Sequence, residues 1–328
     1  MNLPNARLWL LAVLCSGSAL AAEPALTTRI AAADGWVGYR VAATADAGES
    51  CCYTITRGSQ RTAGCRLDGK AARGSTIDTS ARSPGSDTLA VYLHVAGGTV
   101  DQVRAWSASC PVEDADAARW IDPVEPGQSV AVLDRAVEHG GETGEQALVA
   151  IAQHGDASAT AALERNAGPG RPRERREQAL FWLGQTRGAD GLATILRQAR
   201  SDPDPKLREH AVFAASQSRA DGAYAAVHAI AREDAAASVR GRALFWMAQM
   251  DAPGADRDIL AALSRETSES VREEAVFALS QLDDGRGEDA LIAVLRGDQP
   301  REVKQRALFW LGQSDSPRAL AFFDEVLH

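Results

Sequence analysis

Beyond residue 110 the chain has no cysteine, and beyond residue 20 it has no apolar run long enough to span a bilayer. The first absence confines any disulfide scaffold to the first third of the chain. The second excludes a helical membrane protein once the extreme N-terminus is set aside. A positive balance is missing too. Lys and Arg number 35 against 44 Asp and Glu, a formal charge of −9, where a nucleic-acid footprint needs a basic surface. The six histidines (His94, His139, His154, His210, His228 and His328) are scattered. No nucleophile elbow, phosphate loop or zinc motif is present, so the sequence points to no cofactor, no metal and no catalytic residues. What is present, 45% apolar and 24% charged residues in 328, is the composition of a folded protein of about two domains.

Residues 1–22 read as a signal peptide. Arg7 precedes an apolar stretch, Leu8 to Leu20, too short for a membrane span, and the small residues Ala19, Ala21 and Ala22 predict cleavage after Ala21 or Ala22. Only Arg7 is charged there, so removal takes the net charge from −9 to −10. Cys15 follows the large Leu14, unlike a lipobox. The expected home is the periplasm, or the medium where no outer membrane exists, with no stable membrane insertion after cleavage.

Four cysteines remain: Cys51, Cys52, Cys65 and Cys110. An even number in an exported domain predicts two disulfides. A Cys51–Cys52 bond is strained, because adjacent Cα atoms sit closer than disulfide geometry prefers. On a strand the two side chains point to opposite faces. Each is therefore expected to take its own partner from Cys65 and Cys110. Around them, residues 23–121 read as a small β-rich domain. Strand candidates are Gly35–Val41, Cys52–Thr56, and Leu89–Val95 joined through Gly97-Gly98 to Val100–Trp106 as a hairpin. Ala71–Asp87, rich in Ser, Thr, Gly and Arg, reads as a long loop.

Pro123, Pro126 and Gly127 mark a boundary, and residues 122–144 read as a helical linker with Ser129 as an N-cap and Gly140-Gly141 as its end. From 145 to 328 the chain repeats. Phe181, Phe213, Phe245, Phe277 and Phe309 recur every 32 residues. Gln185, Gln217, Gln249, Gln281 and Gln313 follow each at the same offset. Ala179, Ala211, Ala243, Ala275 and Ala307 stand two before, and Arg176, Arg208, Arg240, Arg272 and Lys304 five before. Ala147, Val149 and Gln153 fit the same frame one period earlier without the Phe. Each unit reads as two helices, and a lone pair cannot bury its apolar faces, so neighbours must stack. The expected fold is an α-solenoid of helix pairs with a 32-residue period, preceded by the small disulfide-bonded β-rich domain.

The segments Val239-Arg240-x-x-Ala243-Leu244 and Val271-Arg272-x-x-Ala275-Val276 resemble the short HEAT-like repeats of the phycobilisome-lyase type. That family also carries an acid six residues before its base. Asp202, Asp234, Glu266 and Asp298 match it, which implies a ladder of acid–base pairs along the stack. The order of Trp-Val-Gly-Tyr strand, Cys-Cys pair and HEAT array also resembles exported bacterial HEAT-repeat proteins without a described activity. Deoxyhypusine hydroxylase is similar in class, but its iron needs His-Glu pairs. Here only Glu138-His139 and Glu209-His210 occur, in reverse order.

The family leaves the Phe position variable. At 100° per residue, the Ala two before it and the residue two after it lie on the opposite, buried side. The Phe and the Gln four residues on then share a partly exposed stripe, five repeats deep. One reading makes this stripe a docking surface for a protein partner. The other has each Phe lean on the next repeat and each Gln tie repeats together. The alternation of Trp182, Trp246 and Trp310 with Ala214 and Ala278 reads as big-against-small packing. The expected function is a non-catalytic protein-binding scaffold. The alternative is an enzyme or enzyme subunit with its site in the β domain or at the junction, near Trp36, Tyr39, His94 and Trp106.

Overall fold

The computed structural model describes residues 25–45, 50–51, 53–57, 60–69, 87–283, 285–314 and 316–327. The signal-peptide reading, Cys52 and nearly all of the Ala71–Asp87 stretch lie outside them.

The chain opens with a short helix, α1 (Leu26–Ala31), absent from the sequence reading. Leu26 and Ile30 point one way at a spacing of four and are buried. Next comes a four-stranded sheet of order β5-β4-β1-β6, built from β1 (Gly35–Ala42), β4 (Thr88–Ala96), β5 (Thr99–Ser107) and the two-residue β6 (Arg119–Trp120). Antiparallel pairs join β1 to β4 and β4 to β5, whereas β6 runs parallel to β1. The hairpin between β4 and β5 turns on Gly97 and Gly98, whose φ of +57° and +77° suits glycine. A separate hairpin pairs β2 (Tyr53–Arg57) with β3 (Gln60–Gly64).

Alternation along these strands produces two apolar faces. Val37, Tyr39 and Val41 pair with Leu93, Val91 and Leu89, and this face joins the core of the helices that follow. On the other face, Trp36, Ala90, Tyr92 and Trp106 are covered by Cys51, Cys65, Leu67, Cys110 and Ala118. Cys51 bonds Cys110, as expected of separate partners for the adjacent pair, and Cys65 is disulfide-bonded too.

Helix α2 (Pro126–Val137) begins on proline, whose missing N–H costs nothing in a first turn. Ser129 is therefore inside the helix and buried, which corrects its reading as an N-cap. Six helix pairs follow. They are α3 (Gly141–Gln153) with α4 (Ala157–Ala167), α5 (Arg173–Thr186) with α6 (Gly188–Ser201), and α7 (Pro205–Ser216) with α8 (Ala223–Glu233). Then come α9 (Ala237–Gln249) with α10 (Ala255–Arg265), α11 (Glu269–Ser280) with α12 (Arg286–Arg296), and α13 (Arg301–Gly312) with α14 (Pro317–Leu327). Asp156 and Asp204 cap α4 and α7 by accepting from the N–H groups of Ser158 and Lys206, at 2.8 and 2.9 Å. The α3 pair is the degenerate first repeat. Together these elements form an α-solenoid preceded by a small disulfide-bonded sheet. Among the described residues no helix is long and apolar enough to cross a membrane.

Stacking follows the helical wheel. Ala179, Ala211, Ala243, Ala275 and Ala307 are fully buried, as are Leu183, Ala215, Met247, Leu279 and Leu311 two residues after each Phe. The first helices approach one another more closely than the second helices do. At Gly184 of α5, an added Cβ would stand 2.3 Å from the carbonyl oxygen of Ala214 in α7. The stack therefore curves with its Phe-bearing helices on the inside.

Candidate functional site: an aromatic ribbon on the inner face

The five phenylalanines lie along that inner face. Phe181, Phe213, Phe245 and Phe277 are half-buried, and Phe309 is 53% exposed. Their rings form one unbroken array. Phe181 stacks on Phe213 with centroids 5.8 Å apart and planes 16° apart, and Phe245 stacks on Phe277 at 5.8 Å and 6°. Trp246 bridges the two stacks, 4.8 Å from Phe213 and 5.0 Å from Phe245. Trp310 repeats the bridge, 5.1 Å from both Phe277 and Phe309, and Trp182 closes the other end 5.1 Å from Phe181.

Sequence reasoning treated the tryptophans as plain packing. That reading holds, since Trp182, Trp246 and Trp310 pack against the core, and their rings also meet the phenylalanines, so that the alternation with alanine gives the array a two-repeat period.

The glutamines lie on one side of the ribbon. Gln185 donates to Gln217 at 3.4 Å, a weak link between repeats. Gln217 and Gln281 instead donate to Ser216 and Ser280 of their own helices, both at 3.2 Å, and Gln249 and Gln313 are exposed. The amides therefore form a polar rim with unused hydrogen-bonding capacity. The opposite rim is charged and internally paired, with Arg173 on Glu177, Lys206 on Glu209 and Arg306 on Glu273, while Arg242 lies over the Phe245 ring at 5.9 Å.

A ladder of ion pairs fixes the spacing of the repeats. Each rung reaches across repeats, to the acid 26 residues further along the chain. Arg208 grips Asp234 through two hydrogen bonds of 2.9 Å. Arg240 grips Glu266 at 2.9 and 3.0 Å, and Arg176 contacts Asp202. The same guanidinium groups also donate backwards, Arg208 to the carbonyl of Asp202 and Arg240 to that of Asp234, both at 2.9 Å. Each Arg thus ties its own repeat to the next. Hydrogen bonds from Arg240 hold the Glu266 carboxyl down at about 2. Burial pushes the Asp234 carboxyl up, but the Arg208 and Ala236 hydrogen bonds outweigh it and the net shift is downward. Asp298 is exposed and forms no such rung with Arg272.

The four residues named for a site in the sheet do not converge. Trp36 and His94 meet edge to face at 5.2 Å on the disulfide-covered side, and Trp106 packs near Tyr92 on that side. Tyr39 faces the helices and is fully buried. Beside His94, a cavity of about 210 Å³ is lined by Asp68, Asp101, Gln102, Arg104, Glu142 and Thr143 among others. Arg104 is buried there, and its Nε has no partner. Among the described residues no group of three His, Cys, Asp or Glu is placed to hold a metal.

The model of the PBS lyase HEAT-like repeat matches residues 271–297, the α11–α12 pair. Solved structures similar to the chain include human deoxyhypusine hydroxylase in complex with glycerol, at 17% identity and a TM-score of 0.32, covering 57% of this chain and 75% of that one. Another is the complex of CpcE and CpcF of phycocyanin lyase from Nostoc sp. PCC7120, at 17% identity and a TM-score of 0.31, covering 61% of this chain and 81% of that one. No curated protein matches. The repeat match at residues 271–297, with its landmarks recurring every 32 residues, makes the helical array one of HEAT-like repeats.

Proposed function

We propose that the protein is an exported, periplasmic scaffold that docks a protein partner along the aromatic ribbon and performs no catalysis itself. The observation that carries this reading is the unbroken row of half-exposed rings on the inner curve. Aromatic groups are enriched where protein surfaces meet, and these are already ordered by stacking, so docking would lose little side-chain entropy. The neutral amide rim supplies hydrogen bonds next to the apolar floor. The N-terminal apolar stretch and the disulfides fit an oxidising compartment.

The test replaces Phe213, Phe245 and Phe277 by Ala in the full chain. A photo-crosslinker at exposed Gln249 is compared with one at exposed Glu233, on a second helix away from the ribbon. The reading expects a discrete adduct from Gln249 alone, lost in the triple variant while the helices remain folded. Identical adducts from both positions, or adducts that survive loss of the rings, would overturn it. N-terminal sequencing of the envelope fraction should begin at Ala22 or Glu23. The competing enzyme reading would centre on the Arg104 cavity, and Arg104→Met would then abolish activity without disturbing docking.

A further inference from the structure

We propose that Tyr39, Ser129 and His154 form an acid-released latch between the sheet and the helical stack. All three side chains are buried and come from β1, α2 and the end of α3. The Tyr39 and Ser129 hydroxyls are 2.8 Å apart, Ser129 is 2.8 Å from Nε2 of His154, and Nδ1 of His154 is 2.7 Å from the carbonyl oxygen of Ala150. The direction of this chain is fixed at its end. A carbonyl can only accept, so Nδ1 carries the proton and Nε2 is a bare acceptor. Ser129 must then donate to His154, and Tyr39 must donate to Ser129. Every hydrogen is used once.

Backbone pairing joins the same elements beside it. The N–H of Thr44 donates to Gln153 at 2.8 Å and that of Gly155 to Ala42 at 3.0 Å. From the next repeat, Arg187 donates to the carbonyls of Ile151, Ala152 and His154 at 2.9–3.2 Å. The charged groups facing the imidazole are therefore Arg187, from between α5 and α6, and Asp156, at the start of α4 and already engaged with Ser158. Neither ring nitrogen has a carboxylate partner.

A second proton on His154 would break the chain. Nε2 would point its new hydrogen at the Ser129 oxygen, and one of the two hydroxyl hydrogens, of Ser129 or of Tyr39, would lose its acceptor within the chain. A cation would also be enclosed near Arg187. Burial holds the imidazole pKa down to about 4, in keeping with this cost. Parting β1 from α2 and α3 would let water reach His154 and relieve both penalties. Helices α9 and α11 contain no histidine and have no such reason to follow, because the Glu266 carboxylate that Arg240 of α9 holds stays ionised well below this range.

Hydrogen exchange of the full chain, measured at pH 7 and pH 4.5 and corrected for intrinsic rates, tests the latch. The expected result is at least tenfold faster exchange in β1 and α2 at the lower pH, with α9 and α11 unchanged within about twofold. His154→Gln keeps an acceptor for Ser129 but cannot titrate, so it should abolish the difference. Unchanged protection in β1, simultaneous loss in β1 and α9, or a His154→Gln variant that keeps the acid response would each overturn the proposal. Should that variant not fold, the ring of His154 followed by NMR in the unaltered chain decides. Protonation coincident with loosening of β1 supports the latch, and protonation near 6.5 with β1 still protected refutes it.

Discussion

Tyr39 has given up water for a single hydroxyl partner, and the consequences of that exchange can be measured. Tyr39→Phe keeps the ring in the core and removes the hydrogen bond to Ser129, leaving the Ser129–His154 bond intact. A loss of about 1 kcal/mol in urea unfolding is expected. His154 adds a pH dependence whose sign follows from its depressed pKa. The unfolded chain binds the proton below about 6.5, whereas the folded chain binds it only below about 4. Stability is therefore complete above pH 6.5 and falls by roughly 3 kcal/mol as the pH drops to 4. Unfolding midpoints taken across that range should decline in the natural chain and less so in His154→Gln. Gly184 is a third sensitive residue. Gly184→Ala would drive a methyl group into the Ala214 carbonyl, forcing α5 and α7 apart. It should cost about 1–3 kcal/mol by the same measure, as overpacking does.

Among the elements, the ion-pair ladder and the ring array divide the work of holding the repeats in register. Arg240→Ala would leave Glu266 without its bidentate partner while both helices keep their apolar contacts. The expected effects are a loss of about 1–3 kcal/mol and a Glu266 titration that moves up from about 2 toward the ordinary carboxylate value, readable by NMR. Since the Glu266 carboxyl is depressed, the rung's contribution is present above about pH 4.5 and is lost as the pH falls toward 2. Much at this scale was legible in the sequence. The Phe, Ala and Gln offsets fixed which face of each first helix is buried, because one wheel angle repeated over five copies leaves no other solution. The direction of the rungs was not legible, since an acid six residues before an Arg says nothing about which neighbouring repeat that Arg reaches toward. The big-against-small alternation of Trp and Ala was legible as packing, but the contacts of the indoles with the phenylalanine rings were not, because periodicity does not show which rings meet. The Tyr39–Ser129–His154 chain was invisible for a different reason. Its members are separated by 90 and 25 residues and carry no spacing signature. Helix α1 and strand β6 were missed because six and two residues are too few for a period to show.

For the whole molecule, the sheet and the solenoid share one continuous apolar core through α2 and α3. The segment read as a linker, 122–144, carries all of α2 and the first turn of α3. The sheet thus covers one end of the stack, while the other end exposes Leu308, Phe309, Leu320, Val326 and Leu327. Between these ends, stability should be a sum over neighbouring pairs, because among the described residues the main helix contacts join each repeat to the next. The ring array refines that expectation. Its unit is two repeats, so one repeat cannot be removed without placing two unlike neighbours together, whereas two can. The most direct test is to excise residues 214–277, two whole periods, so that Phe213 runs straight into Ala278. The account predicts a shortened protein that loses only the helicity of the excised pairs and still melts cooperatively. A product without cooperative melting would contradict the claim that helix pairs stacked at a fixed 32-residue interval make this fold.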